Sequence, residues 1–158
     1  MNETNNTEGK ILSVCFSVKR GTKKKDAASG YLAEDFGLIG DAHAEAHSHR
    51  QLSLLDISSV NKMRAQGLDL TYGDFAENIT TKGLSLYTLP VGTRLVTSRG
   101  VEMEITQIGK ECHHHCQIYR QVGMCVMPLE GVFARIMKAG EVHAGDTIKV
   151  VVPQSAAA

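Results

Sequence analysis

A mainly β protein is what this sequence predicts: a small closed or partly open β-barrel of short strands with one or more peripheral helices. Three observations predict it. Short apolar, β-branched runs recur at close spacing, only one stretch carries a helical pattern, and fifteen glycines punctuate the runs. Strand and helix signals do not alternate in a βαβ rhythm, and no G-x-G-x-x-G or G-x-x-x-x-G-K fingerprint is present, so nucleotide binding by those routes is not expected.

In chain order, residues 1–8 are polar and Asn-rich and read as a tail; one domain is expected over 9–152, and 153–158 form a second tail. Ile11 to Val18 is the first strand signal. Asp56 to Gly67 reads as the helix: Asp56 or Ser58 offers an N-cap, Val60 and Met63 share a face, and Gly67 is a stop. Residues 92–97 and 101–107 alternate apolar with polar and are joined by Ser98-Arg99-Gly100, the pattern of a hairpin. Residues 132–137 and 146–152 supply two more strands, with Gly140 to Gly145 turning between them. Gly92-Thr93 and Gly145-Asp146 both begin Gly-(Thr/Asp)-x-apolar, a turn feeding a strand.

Bulk properties narrow the function. The chain has 158 residues, enough for a real core, and its seventeen basic and seventeen acidic side chains cancel. No global field recruits nucleic acid or a membrane surface, and no apolar run approaches transmembrane length. No basic n-region followed by an apolar h-region opens the chain, so no secretory signal is expected and the compartment is expected to be cytoplasmic. The four cysteines then read as thiols rather than a disulfide framework.

Four stretches carry chemistry. Cys112-His113-His114-His115-Cys116, with Cys125 after it, concentrates three of the four cysteines and three of the seven histidines. On a helical turn Cys112 and Cys116 would share a face, and a histidine or Cys125 could complete a zinc site, although the spacing matches no usual zinc pattern. Alternatively Cys112 is a reactive thiolate on a loop after a strand end, its pKa lowered by Lys110, His113 and His114. Cys116 and Cys125 then serve as small buried hydrophobes. The second stretch, Lys19-Arg20-Gly21-Thr22-Lys23-Lys24-Lys25, packs five cations into seven residues, either a solvated loop or an anion site. The third, Gly37 to Arg50, holds His43, His47 and His49, a weak pointer to a metal. The fourth, Gly73-Asp74-Phe75-Ala76-Glu77-Asn78-Ile79-Thr80-Thr81, is either a loop shaping a polar ligand's pocket or an Asx-type turn capping a strand.

Their order is more specific than any one of them. Gly37-x-x-Gly40-Asp41-x-His43 with Arg50 leads to Gly73-Asp74-Phe75-x-Glu77-Asn78-Ile79-Thr80. Leu89-x-x-Gly92 and Glu104-Ile105-Thr106-Gln107 then lead to Cys112, and Gly131-x-Phe133-Ala134-Arg135, Gly140 and Gly145-Asp146 follow. From Lys10 to about Val151 the chain resembles the MOSC domain, named for the C-terminal domain of molybdenum-cofactor sulfurases. The resemblance implies a barrel-like β fold and binding of the molybdenum cofactor (molybdopterin), a pterin dithiolene with a terminal phosphate. It implies that Cys112 is either a molybdenum ligand or the carrier of delivered sulfur. His43, Arg50, Glu77, Asn78 and Thr80 would belong to the cofactor pocket, and Lys19, Lys23 and Lys24 of the basic loop would meet the phosphate.

Glu111 stands where many family members have proline before the cysteine; Gly-Lys-Glu-Cys is similar to a bacterial subgroup of small stand-alone members. In some of those the domain sits beside a cofactor-biosynthesis domain. The chain has no room for a desulfurase domain, so a separate sulfur donor (a cysteine desulfurase) or an electron-donor protein is the expected partner, along with cofactor-biosynthesis proteins. Three functions stay open: cofactor maturation with sulfur on Cys112; reduction of N-hydroxylated compounds, as other stand-alone members perform; and a zinc-stabilised binding domain.

Overall fold

The computed structural model describes residues 7–109 and 130–151. Eleven strands are described: β1 (Glu8–Phe16), β2 (Lys25–Asp26), β3 (Ser29–Ala33), β4 (Gly37–Leu38), β5 (Leu52–Asp56), β6 (Ile79–Lys82), β7 (Arg94–Thr97), β8 (Glu102–Ile108), β9 (Val132–Lys138), β10 (Gly140–His143) and β11 (Thr147–Val151). Among the described residues the α-helix α1 (Ile57–Arg64) and a short 3-10 turn at Leu86–Thr88 join them. The strands hydrogen-bond around a closed barrel in the order β1–β6–β5–β9–β8–β7–β11, and β11 returns to β1 through Glu8↔Lys149 and Lys10↔Thr147. Closure removes the open edges of an isolated sheet. A smaller antiparallel sheet, β10–β3–β4, lies against it. Among the described residues no helix is long and apolar enough to cross a membrane.

The alternating strands form as their pattern predicts. In β7 and β8, Leu95, Met103 and Ile105 point inward while Arg94, Glu102 and Glu104 lie toward solvent. The hairpin between them turns at Gly100, whose φ of +92° suits glycine; its N–H donates to the Thr97 carbonyl at 2.9 Å. Gly92 and Gly145, at φ +99° and +98°, are likewise the turns before β7 and β11. β1 serves several neighbours: it pairs with β11, β6 and β2 in turn, and a register shift between Ile11 and Ser13 bends it.

Two expectations need correction. Gly140 to Gly145 is not simply a turn: Gly140–His143 is a strand paired with Ser29–Leu32, and only the residues after it turn. A β-α-β unit is also present. β5 and β6 are parallel, through Leu54↔Ile79 and Asp56↔Thr81, and parallel neighbours require a crossover, which α1 supplies. Periodicity hid β5 because all five of its residues are buried. Leu54 faces the barrel interior, and Leu55 packs outward against Val60, Met63 and Phe75 under the helix.

Asp56 sets the start of α1. Its Oδ2 accepts from Ser58 N at 3.2 Å, the N-cap bond, while Oδ1 accepts from Thr81 Oγ1 at 2.6 Å and Leu84 N at 3.0 Å. One carboxylate therefore ties the helix to the end of β6. β8 and β9 converge where Gly109 N donates to the Gly131 carbonyl at 2.6 Å. Cys112, Cys116, Cys125 and His113 to His115 fall between those glycines, outside the described residues.

Candidate functional site

The basic loop runs from the end of β1 to β2 and folds back on itself. Gly21, at φ +74°, makes the reversal, and the Ser17 and Thr22 hydroxyls both donate to the Lys19 carbonyl, at 2.8 and 3.3 Å. Arg20 anchors it from outside, donating to the Ala42 carbonyl at 3.2 Å and pairing with Glu45 at 3.5 Å. The fold leaves a groove of about 310 Å³ lined by Phe16, Val18, Lys19, Thr22, Lys23 and Lys25. Phe16 and Val18 are exposed hydrophobes on it, Val18 at 80%. Lys19, Lys23 and Lys25 are exposed and make no ion pair among the described residues. An apolar surface rimmed by uncommitted ammonium groups suits a flat organic anion.

Lys24 is turned the other way. Its side chain is fully buried, and its Nζ donates to Asp41 Oδ1 at 2.7 Å and to Ser17 Oγ at 3.2 Å, with His43 Nδ1 also at 3.2 Å. Asp41 is as deeply buried and accepts two backbone N–H groups besides, from Ser17 at 3.1 Å and His43 at 3.0 Å. The buried pair thus clamps the basic loop to the loop after β4. In this cluster Lys24 meets Asp41, whereas the groove is lined by Lys19 and Lys23.

The fourth stretch packs against this cluster. Gly73, at φ +86°, accepts at its carbonyl from Lys24 N at 2.8 Å. The loop after it is closed by Glu77, whose fully buried carboxylate accepts from Gly73 N at 2.9 Å, Phe75 N at 3.1 Å and Thr80 Oγ1 at 2.8 Å. Burial pushes the Glu77 carboxyl above its ordinary range, and these bonds oppose the shift without cancelling it. Asn78, also buried, joins three elements: Ser53 N donates to its Oδ1 at 3.0 Å, and its Nδ2 donates to the Cys15 carbonyl at 3.0 Å. Cys15 stands beside Gly73, its thiol pushed up to about 12, chiefly by burial. The side chains of Glu77, Asn78 and Thr80 are spent on the protein's own backbone and hydroxyls, so they shape the loop from within.

Gly73 is where these motifs touch most closely. A Cβ there would fall onto the Lys24 carbonyl. Gly73→Ala should cost about 1–2 kcal/mol for left-handed backbone alone. Displacement of Lys24 adds to this, for an expected loss of roughly 3 kcal/mol or more. Urea unfolding measures it; a loss under about 1 kcal/mol would mean that the Lys24 contact is slack.

The remaining candidates lie apart. His43, His47 and His49 face different partners: His43 the Lys24 pair, His47 Asp35 at 2.6 Å, while the His49 carbonyl accepts from Thr106 Oγ1. Among the described residues no group of three or more His, Cys, Asp or Glu is disposed to hold a metal ion. Arg50 is exposed, its guanidinium 5.7 Å from the centre of the Phe133 ring. Sequence reasoning missed Asp35, which accepts from Gln51 Nε2 at 2.9 Å and Arg135 Nε at 3.0 Å as well as meeting His47. These neighbours, the Gln51 bond foremost, hold its carboxyl below the ordinary range. A lone aspartate at a turn offers no pattern from which that role could be read. The zinc reading of Cys112, Cys116, Cys125 and the adjacent histidines, and the reactive-thiolate reading of Cys112, rest on residues outside those described.

Comparison with known proteins places the chain. The family model for the MOSC domain matches residues 40–149, well over half of the chain. No curated protein matches it. Among solved structures, it is similar to the YuaD protein from Bacillus subtilis, with a TM-score of 0.77 and 16% identity over 93% of this chain and 97% of that one. It is also similar to YiiM from Escherichia coli, at TM-score 0.63, 16% identity and coverages of 91% and 70%. YiiM from Geobacillus stearothermophilus gives a TM-score of 0.61, with 16% identity and coverages of 91% and 73%. At such identity the likeness speaks for the fold.

Proposed function

Because the chain belongs to the MOSC domain family, we propose that it binds the molybdenum cofactor and acts in cofactor maturation, with Cys112 carrying sulfur or ligating the metal. The observation that carries the reading is the groove of the basic loop. Its donor set fits the cofactor: ammonium groups of Lys19 and Lys23 and the Thr22 hydroxyl for a terminal phosphate, and Phe16 and Val18 for a planar pterin. When bound, the cofactor would supply a redox-active metal held by a dithiolene. The chain's own residues bind and orient: Lys24 and Asp41 hold the loop in place, Glu77, Asn78 and Thr80 fix the backbone beneath it, and Arg50 is an exposed guanidinium of the loop after His43.

Cys112 enters by sequence position, downstream of Glu104-Ile105-Thr106-Gln107. As a thiolate it attacks the terminal sulfur of a persulfide on a separate donor protein, such as a cysteine desulfurase. The donor's sulfur–sulfur bond breaks, its thiolate leaves, and Cys112 becomes the persulfide.

The test is elemental and pterin analysis of the full chain made in a host that synthesises the cofactor. Stoichiometric molybdenum and pterin are expected, falling at least about tenfold in Lys19→Ala/Lys23→Ala as two charge-assisted contacts go. Absence of both molybdenum and pterin, with loading indifferent to Cys112→Ala, sinks the proposal. Stoichiometric zinc, with unfolding on chelation, would put a zinc-stabilised domain in its place. Turnover of an N-hydroxylated substrate with an artificial electron donor would instead make the protein a reductase.

A further inference from the structure

Seven large hydrophobic side chains are exposed among the described residues, and four of them, Phe16, Val18, Tyr31 and Ile39, are gathered in one place. The pleat puts them there. Leu32 and Leu38 stand opposite each other on the buried face of the β10–β3–β4 sheet. Tyr31 and Ile39, joined by the Ile39 N–H to the Tyr31 carbonyl at 3.0 Å, therefore share its outer face. Glu141 stands opposite Tyr31 on that face. Beyond Ile39, the Phe16 ring lies 3.8 Å from where a Cβ of Gly40 would be. Ser17 takes the buried Lys24 ammonium on its hydroxyl, so its neighbours Phe16 and Val18 turn outward. Lys25 stands opposite Phe16. Neighbour follows neighbour as Glu141, Tyr31, Ile39, Phe16 and Lys25: a carboxylate at one end, an ammonium at the other, and three hydrophobic side chains between.

We propose that this strip docks a second copy of the chain, the two related by a two-fold axis at Ile39. Read backwards, the strip is its own complement. Ile39 meets Ile39 of the partner subunit, Tyr31 meets Phe16 of the partner subunit, and Glu141 meets Lys25 of the partner subunit. Both charges are available for this. Lys25 makes no ion pair among the described residues, and the Glu141 carboxylate is 65% exposed, with His143 Nε2 at 2.8 Å from one oxygen only. A ligand in the groove does not cover the face, because Tyr31 and Ile39 are not part of the groove's lining. Phe16 and Lys25 belong to both, so the second copy borders the groove. An anionic membrane surface suits the strip less well, since it would press on Glu141 and the chain's charges otherwise cancel. The proposal goes beyond the reading of the groove as a cofactor site and does not depend on it.

Sedimentation of the full-length protein tests this, at concentrations rising from micromolar to millimolar, with circular dichroism confirming that each variant is folded. Wild type should pass from monomer to dimer. Ile39→Asp sets two carboxylates against each other at the axis and should weaken the dimer by about a hundredfold or more. Glu141→Lys and Lys25→Glu each place like charges at both ends of the strip, and each should weaken it by about tenfold or more. Mixed in equal amounts, these two charge variants should associate with each other as wild type does, because the mixed pair restores opposite charges at both ends. Wild type that stays monomeric throughout overturns the proposal. So does a dimer that Ile39→Asp leaves intact, which would use another face, and so does a mixture that fails to recover. Monomeric protein binding vesicles of phosphatidylserine and phosphatidylcholine, with binding lost in Ile39→Asp, would put a membrane on the strip and also overturns it. Molybdenum and pterin loading is measured separately, so failure of the dimer and failure of the cofactor reading are told apart.

Discussion

Lys24→Met should cost about 3–5 kcal/mol of folding stability, the range expected when one partner of a buried ion pair is removed. The magnitude follows from the setting. Both side chains are fully buried and meet at 2.7 Å, so the carboxylate left behind has no water to turn to. Asp41 would keep its two backbone N–H donors, from Ser17 and His43, which hold it in place without neutralising it. Lys24→Met/Asp41→Asn should recover most of the loss, because neither residue then leaves an unpaired charge. Urea unfolding of both variants checks the pair. A loss below about 1 kcal/mol in the single variant, the value of an exposed pair, would show that solvent reaches the cluster. Because the pair joins the basic loop to the loop after β4, the single variant should also loosen anion binding at Lys19 and Lys23, although neither is changed.

How much of this was legible depended on whether burial left a period in the sequence. β7 and β8 alternate because one face meets the core and the other water, and their hairpin followed from Ser98-Arg99-Gly100. β5 was opaque because it is buried on both faces, between the barrel interior and the helix. β3, β4 and β10 were opaque for another reason: they are short, and β10 joins β3 from a distant part of the chain, Gly140 opposite Leu32. The site shows the same division. Turn formers and hydrogen-bonding side chains were visible at 73–81, and the Glu77 partners Gly73, Phe75 and Thr80 lie within that run, but the Asn78 partners Ser53 and Cys15 are distant in sequence and no local spacing announces them. Lys24 was hidden by its company. Between Lys23 and Lys25 it reads as one more solvated cation, and only Asp41, distant in sequence, makes it a strut.

Glu77→Ala should be at least as damaging, by a different route. The carboxylate is the acceptor for Gly73 N, Phe75 N and Thr80 Oγ1, all buried, and alanine leaves each without one. At about 1–3 kcal/mol for each orphaned buried group, the loss amounts to several kcal/mol, most of a small domain's stability. Glu77→Gln separates hydrogen bonding from charge. Its carbonyl oxygen can still serve Gly73 and Thr80, but its amide sets a donor against Phe75 N–H, so an intermediate loss is expected. The two forms should also differ with pH. Burial raises the folded-state value of Glu77 above its ordinary 4.5, so the native state retains a proton that the unfolded chain gives up first. The stability this contributes is complete below 4.5 and is lost as pH rises through the raised value. Wild type should therefore lose a component of stability on that rise that Glu77→Gln, which cannot ionise, does not lose. Unfolding midpoints measured from about pH 4.5 upward compare the two directly. Parallel curves would mean that Glu77 ionises as freely in the folded barrel as outside it, and that the loop under Lys24 is held by its hydrogen bonds alone.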